Sequence, residues 1–166
     1  YYSKSLARRL GFADEVRRDA EKIHRLLSWF PEAQWIFVEG NHEYRMKRYL
    51  WSKSPELSEL DVLQIPHLFE LPPEVIYLEH VDEPKSRAEF AAPQVILGKL
   101  YVLHGDTIRA TAQMINVART IFLRLMVPVL VGHWHMTQSY TQTKYDGETS
   151  GAWVSGCLCL PRPHFD

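Results

Sequence analysis

Three short polar clusters, each directly after a run of apolar residues, restrict the fold of this chain more than any other feature. The clusters are Gly40-Asn41-His42-Glu43, His104-Gly105-Asp106 and Gly132-His133-Trp134-His135. The runs before them, at 35–38, 100–103 and 127–131, are β-branched or aromatic, which is typical of buried strands. Because functional groups in open α/β sheets gather in loops beyond the carboxyl ends of the strands, we expect the clusters to meet at one edge of a sheet.

The rest of the sequence alternates helix-like and strand-like segments and ends in antiparallel strands. Apolar residues at three- and four-residue spacing predict helices, and short apolar runs between turn residues predict strands. The predicted helices are 14–30 (with Asp14 as its N-cap), 43–51, 55–60 and 111–126, and the predicted strands are 34–38, 75–78, 94–97, 100–103, 127–131, 137–144 and 152–158. Gly98-Lys99 and Asp146-Gly147 are predicted hairpin turns. This mixture favours a layered α/β sandwich over a purely parallel sheet.

Length and composition predict one soluble domain, spanning residues 1–166. The net charge of -1 argues against nucleic-acid binding that depends on bulk positive charge. The apolar stretch 121–131 is interrupted by Arg124 and Pro128, and no stretch reaches the roughly 20 residues that a membrane-spanning helix needs. The start of the chain has no signal-peptide pattern, and Cys157 and Cys159 are expected to be reduced thiols. We therefore expect a cytoplasmic protein without a membrane partner.

The side chains in the three clusters are of the types that bind borderline divalent metals. Asn41 offers a neutral carboxamide oxygen, and His104, His133 and His135 offer imidazole nitrogens. His42 can donate a proton or stabilise charge. Taken singly, each cluster also has a structural interpretation: an asparagine turn, a strand-end cap or a surface histidine pair. All three together, each beside a glycine at a strand end, predict a metal site for Zn, Mn, Fe or Ni.

With these motifs the sequence resembles the calcineurin-like metallophosphoesterase superfamily. Gly40-Asn41-His42-Glu43, His104 and Gly132-His133-Trp134-His135 occur in the family's order. The resemblance implies that Asn41, His104 and His133 bind one metal, that His135 binds a second, and that His42 is the catalytic histidine. It also implies an α/β/β/α sandwich with mixed sheets. The Gly-Cys-Leu-Cys-Leu segment at 156–160 and the Tyr44-Arg45 pair are similar to bacterial and phage-type members. The Gly-His-x-His ending is more similar to the phosphodiesterase and nuclease branches than to serine/threonine phosphatases.

The sequence departs from the family pattern at its start. Members also carry an Asp-x-His motif and a Gly-Asp-x-x-Asp motif upstream of Gly-Asn-His-Glu, and neither motif precedes Gly40. These motifs supply most ligands of the metal assigned to His135 and the aspartate that bridges both metals. We interpret the chain as an N-terminally truncated member whose first βαβ portion would precede Tyr1. In the sequence as it stands, His135 is the single ligand for its metal.

The positions outside the three motifs carry weaker expectations. Arg45 has two interpretations, a phosphate ligand at the N-terminus of a helix or part of that helix's solvated face. Lys47 and Arg48 are interpreted as a solvated helix face, and Trp134 as a packing residue in preference to a base-stacking one. The remaining histidines are interpreted as surface or core residues: His24, His67, His80 and His164.

The resemblance therefore predicts a hydrolase with two divalent metal ions, manganese first, with iron, zinc or nickel as alternatives. Two cations about 3.5–4 Å apart would activate a water and stabilise both oxygens of an in-line displacement at phosphorus. The expected partner is a phosphomonoester or phosphodiester, such as a nucleotide, a nucleic acid or a phosphoprotein. The alternative is a degenerate, non-catalytic module of the same fold that binds a metal or another protein. The sequence does not decide the oligomeric state.

Overall fold

The computed structural model describes residues 11–80, 94–108 and 115–157. Its helices are α1 Phe12–Trp29, α2 Asn41–Lys53, α3 Ile65–Leu68 and α4 Val117–Leu125, with 3₁₀ turns at Pro55–Leu57 and Asp61–Leu63. Its strands are β1 Ile36–Val38, β2 Ile76–Leu78, β3 Gln94–Leu97, β4 Leu100–Leu103, β5 Val129–Val131, β6 Gln138–Thr143 and β7 Thr149–Val154. The predicted mixed α/β class is confirmed. The predictions for Cys159, His164, the start of the 111–126 helix and the region before Gly11 lie outside the described residues.

Two helices begin elsewhere than predicted. The N-cap of α1 is Gly11, which has no capping side chain, and the amide of Asp14 donates to its carbonyl at 3.0 Å. Asp14 therefore lies inside the first turn, where its charge favours the helix N-terminus, and its prediction as the cap is wrong. α2 begins at Asn41 instead of Glu43, because no glycine or proline interrupts 41–53 and Glu43 supplies a first-turn carboxylate.

Helix α4 begins at Val117, inside the predicted 111–126 helix, of which residues 111–114 lie outside the described part of the chain. Asn116 is its N-cap, since its Oδ1 accepts a hydrogen bond from the amide of Arg119 at 3.0 Å. The Gln138 side chain also accepts from the amides of Val117 and Ala118, at 2.9 and 3.3 Å. These side chains satisfy the free amides of the first turn, which fixes the start of α4 against β6.

Backbone contacts divide the chain into two compact units, and neither is one continuous stretch of sequence. The described part of the first unit is 11–37 and 42–77, in which α1 packs against α3. Within it, Phe37 contacts the rings of Phe69 and Tyr77 at centroid distances of 6.0 and 5.9 Å. No helix of the described segments is both long enough and apolar enough to cross a bilayer.

The first unit corrects the interpretation of Lys47. Arg48 is exposed, as a solvated face requires, but Lys47 is only 8% exposed. The Lys47 ammonium lies 5.6 Å from the centre of the Tyr77 ring, an arrangement that combines burial of its aliphatic stem with a cation–π contact. Spacing along a helix cannot reveal such a partner, because Tyr77 is thirty positions away in the sequence.

The described part of the second unit is 38–41, 78–80, 94–108 and 115–157, and its centre is a five-stranded sheet. The strand order is β3-β4-β5-β7-β6, with antiparallel pairs at both edges and the parallel pairs β4–β5 and β5–β7 between them. Both predicted hairpins are confirmed. Gly98 and Gly147 occupy their turns at φ +62° and +83°, a region that glycine enters without steric cost.

The core of this unit lies where α4 packs against β6 and β7. Val129 and Val131 face it from β5, while Leu130 between them is only half-buried. Ile121 of α4 and Ala152 of β7 are fully buried in the same cluster. A central strand whose alternate residues are fully buried tolerates little slippage, because a shift by one residue would turn its apolar side chains outward.

An ion-pair cluster lies at the turn between β6 and β7. Lys144 Nζ contacts Glu148 at 2.6 Å, and Lys99 Nζ contacts the same carboxylate at 3.3 Å. The hydrogen bonds from Lys144 and then Lys99 lower the pKa of Glu148, and the bond to Glu148 raises the pKa of Lys144. Because the pKa of Glu148 is lower in the folded state, its carboxylate stabilises the fold at pH values above the pKa that it has in the unfolded chain. This stabilisation is lost as the pH falls through the pKa of the folded state. These side chains are exposed, so salt screens the interaction.

We expect Gly151→Ala to destabilise the sheet, because a Cβ at this position of β7 would collide with the backbone oxygen of Tyr140 on β6. Overpacking of this kind costs about 1–3 kcal/mol, which urea unfolding can measure. Ser139→Ala on the exposed face of β6 is the control and should change the free energy of unfolding by less than about 0.5 kcal/mol. Equal stability of the two variants would contradict this packing.

Candidate metal centre

Three of the predicted ligands meet in the second unit. His104 Nε2 lies 3.0 Å from Asn41 Oδ1 and 3.3 Å from His133 Nδ1. The three residues come from three separate segments of the chain and are all partly buried. The predicted convergence at one edge of the sheet therefore occurs for one residue of each cluster.

The pairing of β4 with β5 brings the two histidines together. The strands are parallel, and Leu103 is opposite Val131, so His104 and Gly132 leave the sheet side by side. The amide of Gly132 donates to the carbonyl of His104 at 3.1 Å, which extends the pairing by one step. Parallel register thus sets His104 beside Gly132, the residue before His133.

Gly105 gives the chain its tight exit after His104. Its φ is +105°, and a Cβ there would lie 3.1 Å from the Cβ of Val131. A side chain at this position would therefore be strained and crowded at once. Gly132 differs, because an added Cβ would meet only ordinary contacts of 3.7–4.0 Å. The glycine that the site requires sterically is Gly105.

The distances in this cluster suit ligands that share one cation. Two ligand atoms about 2.1 Å from a metal are about 3.0 Å apart at an octahedral angle and about 3.4 Å apart at a tetrahedral one. The observed separations of 3.0 and 3.3 Å lie within that interval. The Asn41 oxygen and a deprotonated nitrogen of each histidine form a donor set suited to Mn, Fe, Zn or Ni.

Hydrogen bonding can also occupy these atoms. A protonated His104 Nε2 would donate to Asn41 Oδ1, which can only accept, and the contact with His133 Nδ1 depends on the tautomer. A cation at the point where the three atoms converge would instead bind a lone pair of each. The residues present therefore fit one divalent cation.

The backbone at the third cluster is strained. His133 has φ +41° and His135 has φ +53°, two of the four non-glycine residues with positive φ in the described segments. The amide of Trp134 bonds to the carbonyl of Gly132 at 2.5 Å, which makes His133 the centre of a tight γ-turn of the rare positive-φ type. Such strain persists only where the surroundings enforce it, and it is frequent at ligand and catalytic sites.

Trp134 contributes packing, as predicted. It packs against the core cluster, and its ring lies edge-on to His133 at a centroid distance of 5.1 Å. Its indole Nε1 is buried and has no hydrogen-bond partner in the described part of the chain. The large ring thus supports the His133 imidazole from one side.

The remaining predicted site residues are not part of this cluster. His135 is exposed, and its ring forms no hydrogen bond to another described residue. His42 and Arg45 belong to the first turns of α2, in the first unit, and both are exposed. Their predicted roles, a second-metal ligand, the catalytic histidine and a phosphate ligand, remain predictions.

Across 11–80, 94–108 and 115–157, no group of three His, Cys, Asp or Glu side chains is placed to hold a metal. The cluster above contains only two histidines, because its third donor is the carboxamide of Asn41. A second cation would need ligands in addition to His135. The two-metal site therefore stays a prediction, whereas the described residues include three donors placed to share one cation.

Sequence reasoning missed a buried polar group beside these ligands. Glu39 is fully buried, and its Oε2 accepts a hydrogen bond from the backbone amide of His80 at 2.8 Å. The imidazole Nε2 of His80 contacts Asp106 Oδ2 at 2.8 Å, with side-chain exposures of 7% and 15%. A signal was available, since Glu39 and His80 each follow a short strand and Asp106 follows His104 by two positions.

No protein-family model, curated protein or solved structure matches this chain. The support for a function therefore comes from the motif order and from the geometry of the second unit.

We expect His133→Ala to weaken Mn²⁺ binding at least about tenfold, because it removes one of three donors and leaves a strained turn without its ligand. Isothermal titration with MnCl₂ measures the change. His67→Ala, at an exposed histidine of α3, is the matched control and should bind as the unaltered chain does. Unchanged Mn²⁺ affinity in His133→Ala would exclude this residue as a ligand.

Proposed function

We propose that the protein is a metal-dependent phosphoesterase of the calcineurin-like type, cytoplasmic and built as a layered α/β/β/α sandwich. It would hydrolyse a phosphomonoester or phosphodiester by attack of an activated water. The observation that carries the proposal is the convergence of Asn41, His104 and His133. These residues stand in the motif order of the resemblance, and their donor atoms meet at ligand spacing.

The charge of the donor set suits an anionic substrate. A carboxamide and two neutral imidazoles leave the charge of a bound divalent cation uncompensated. When bound, the cation would polarise a phosphoryl oxygen and lower the pKa of a water.

The roles proposed for α2 follow from its order along the chain. His42 directly follows the ligand Asn41, and its exposed imidazole would donate a proton to the leaving oxygen or stabilise its charge. Arg45, one turn further and also exposed, would form two parallel hydrogen bonds to phosphate oxygens. Together they would bind the ester and assist departure of the alcohol.

A second cation is part of the proposal, with His135 as one of its ligands. The competing function is a non-catalytic module that binds a single metal. One observation favours it: His135 is exposed and is not joined to the three-donor cluster within the described segments. Metal content distinguishes the two, because the enzyme predicts two Mn²⁺ per chain and the module predicts one or none.

We expect His42→Ala to lower turnover about 10²–10⁴-fold while Mn²⁺ content stays unchanged, because His42 is assigned to proton transfer and not to ligation. The assay is Mn²⁺-dependent hydrolysis of p-nitrophenyl phosphate and of bis(p-nitrophenyl) phosphate, with elemental analysis of the same samples. The two substrates also separate monoesterase from diesterase activity.

Asn41→Ala is the matched comparison at the neighbouring position and should lose both metal and turnover. Parallel loss of metal in His42→Ala would remove the catalytic assignment. Absence of Mn²⁺-dependent hydrolysis of either ester by the unaltered chain, with metal bound, would favour the non-catalytic module.

A further inference from the structure

A buried chain of polar contacts joins two of the loops that carry the proposed ligands. Glu39 lies two residues before Asn41, and Asp106 lies two residues after His104. His80 contacts both: its amide donates to Glu39 at 2.8 Å, and its imidazole contacts Asp106 at 2.8 Å. His80, which lies two residues after the end of β2, therefore connects the segment before Asn41 to the segment after His104.

The side chains that form these contacts are buried or nearly so. Glu39 is fully buried, and the side chains of His80 and Asp106 are 7% and 15% exposed, so water competes weakly for them. The amide of Glu39 also donates to the Leu78 carbonyl at 2.9 Å, which holds the ends of β1 and β2 together. The loop end that bears Asn41 is thus fixed by backbone and side chain at once.

The His104 loop needs such a restraint on its far side. Gly105, at φ +105°, separates His104 from Asp106, and glycine lets the backbone on either side rotate freely. The carbonyl of His104 is held by the Gly132 amide. Beyond the glycine, Ile108 is buried in the core and its amide donates to the Gly105 carbonyl at 3.1 Å, while the Asp106 carboxylate contacts His80 and so links this segment to the one that bears Asn41. Binding constellations have to be held within about 0.5 Å of their productive geometry.

We infer that His80 is a positioning residue that sets the separation of Asn41 and His104 through Glu39 and Asp106. This inference rests on the proposed metal centre, and His80 itself touches neither metal nor substrate in it. Partners behind metal ligands are known to change metal affinity about 10–100-fold when they are removed. The Glu39–His80–Asp106 chain would act in that way on a ligand pair from two different loops.

The test is Mn²⁺ affinity, measured from the EPR signal of free Mn²⁺ during titration of the whole chain. His80→Leu replaces the imidazole by an apolar side chain of similar size and so removes the contact to Asp106. His80→Gln returns a side-chain N–H at a similar reach. We expect about tenfold weaker Mn²⁺ binding in His80→Leu and recovery to within about threefold of the unaltered chain in His80→Gln.

Ile121→Val in the core of the same unit is the control for general destabilisation, since Ile121 is fully buried in α4. It lowers the melting temperature without touching the polar chain. Equal weakening of Mn²⁺ binding in Ile121→Val and His80→Leu would overturn the inference. A double-mutant cycle with Asp106→Ala covers the case in which His80→Leu does not fold. His80→Gln should bind Mn²⁺ more tightly than His80→Ala when Asp106 is present, and the two should bind equally in the Asp106→Ala background.

The outcomes separate this inference from the proposed function. Mn²⁺ binding by the unaltered chain that His80→Leu leaves unchanged would overturn the positioning role and leave the metal centre standing. No Mn²⁺ binding by the unaltered chain would overturn both. Weakened binding in His80→Leu with recovery in His80→Gln would support both.

Discussion

The parallel pairing of β4 with β5 is the constraint on which the candidate site depends. Leu103 opposite Val131 is a register between two buried residues, and both pack into the core of the second unit. A slip by one residue would expose them, so the hydrophobic core fixes the register. The same register sets His104 beside Gly132 and His133. Packing in the core thus fixes the positions of the residues that directly follow the strands at the edge of the sheet.

Two further features act on this edge. The strained turn at His133 aims its imidazole toward His104, and Trp134 packs behind it. On the other side, the buried Glu39–His80–Asp106 contacts join the ends of two loops. Both have an energetic cost, from positive φ in one case and from burial of polar side chains in the other. Under the proposed function, the need to hold a cation with three neutral donors would give such costs a physical reason.

The sequence was informative where a strand-like apolar run is followed directly by potential ligand residues. The α/β class, the hairpin at Gly98 and the meeting of Asn41, His104 and His133 followed from strand-like runs that end in polar clusters. Contacts between distant positions did not follow: the Lys47–Tyr77 pair has no local signature, since it depends on tertiary packing, and the His80–Asp106 pair had only the weaker signal of polar residues that follow strand ends. Helix starts at Phe12 and Asn41 were missed because capping is a difference of a few tenths to about one kcal/mol between neighbouring residues.

Pulsed EPR of the chain with one equivalent of Mn²⁺ tests the central claim most directly, because it detects nitrogen nuclei bound to the metal. The account predicts coupling to two histidine nitrogens, from His104 and His133, and loss of one of them in His133→Ala. Mn²⁺ whose spectrum shows water ligands and no histidine nitrogen would contradict it. In that case the three convergent side chains would be a hydrogen-bonded cluster, and the phosphoesterase proposal would lose the observation that carries it.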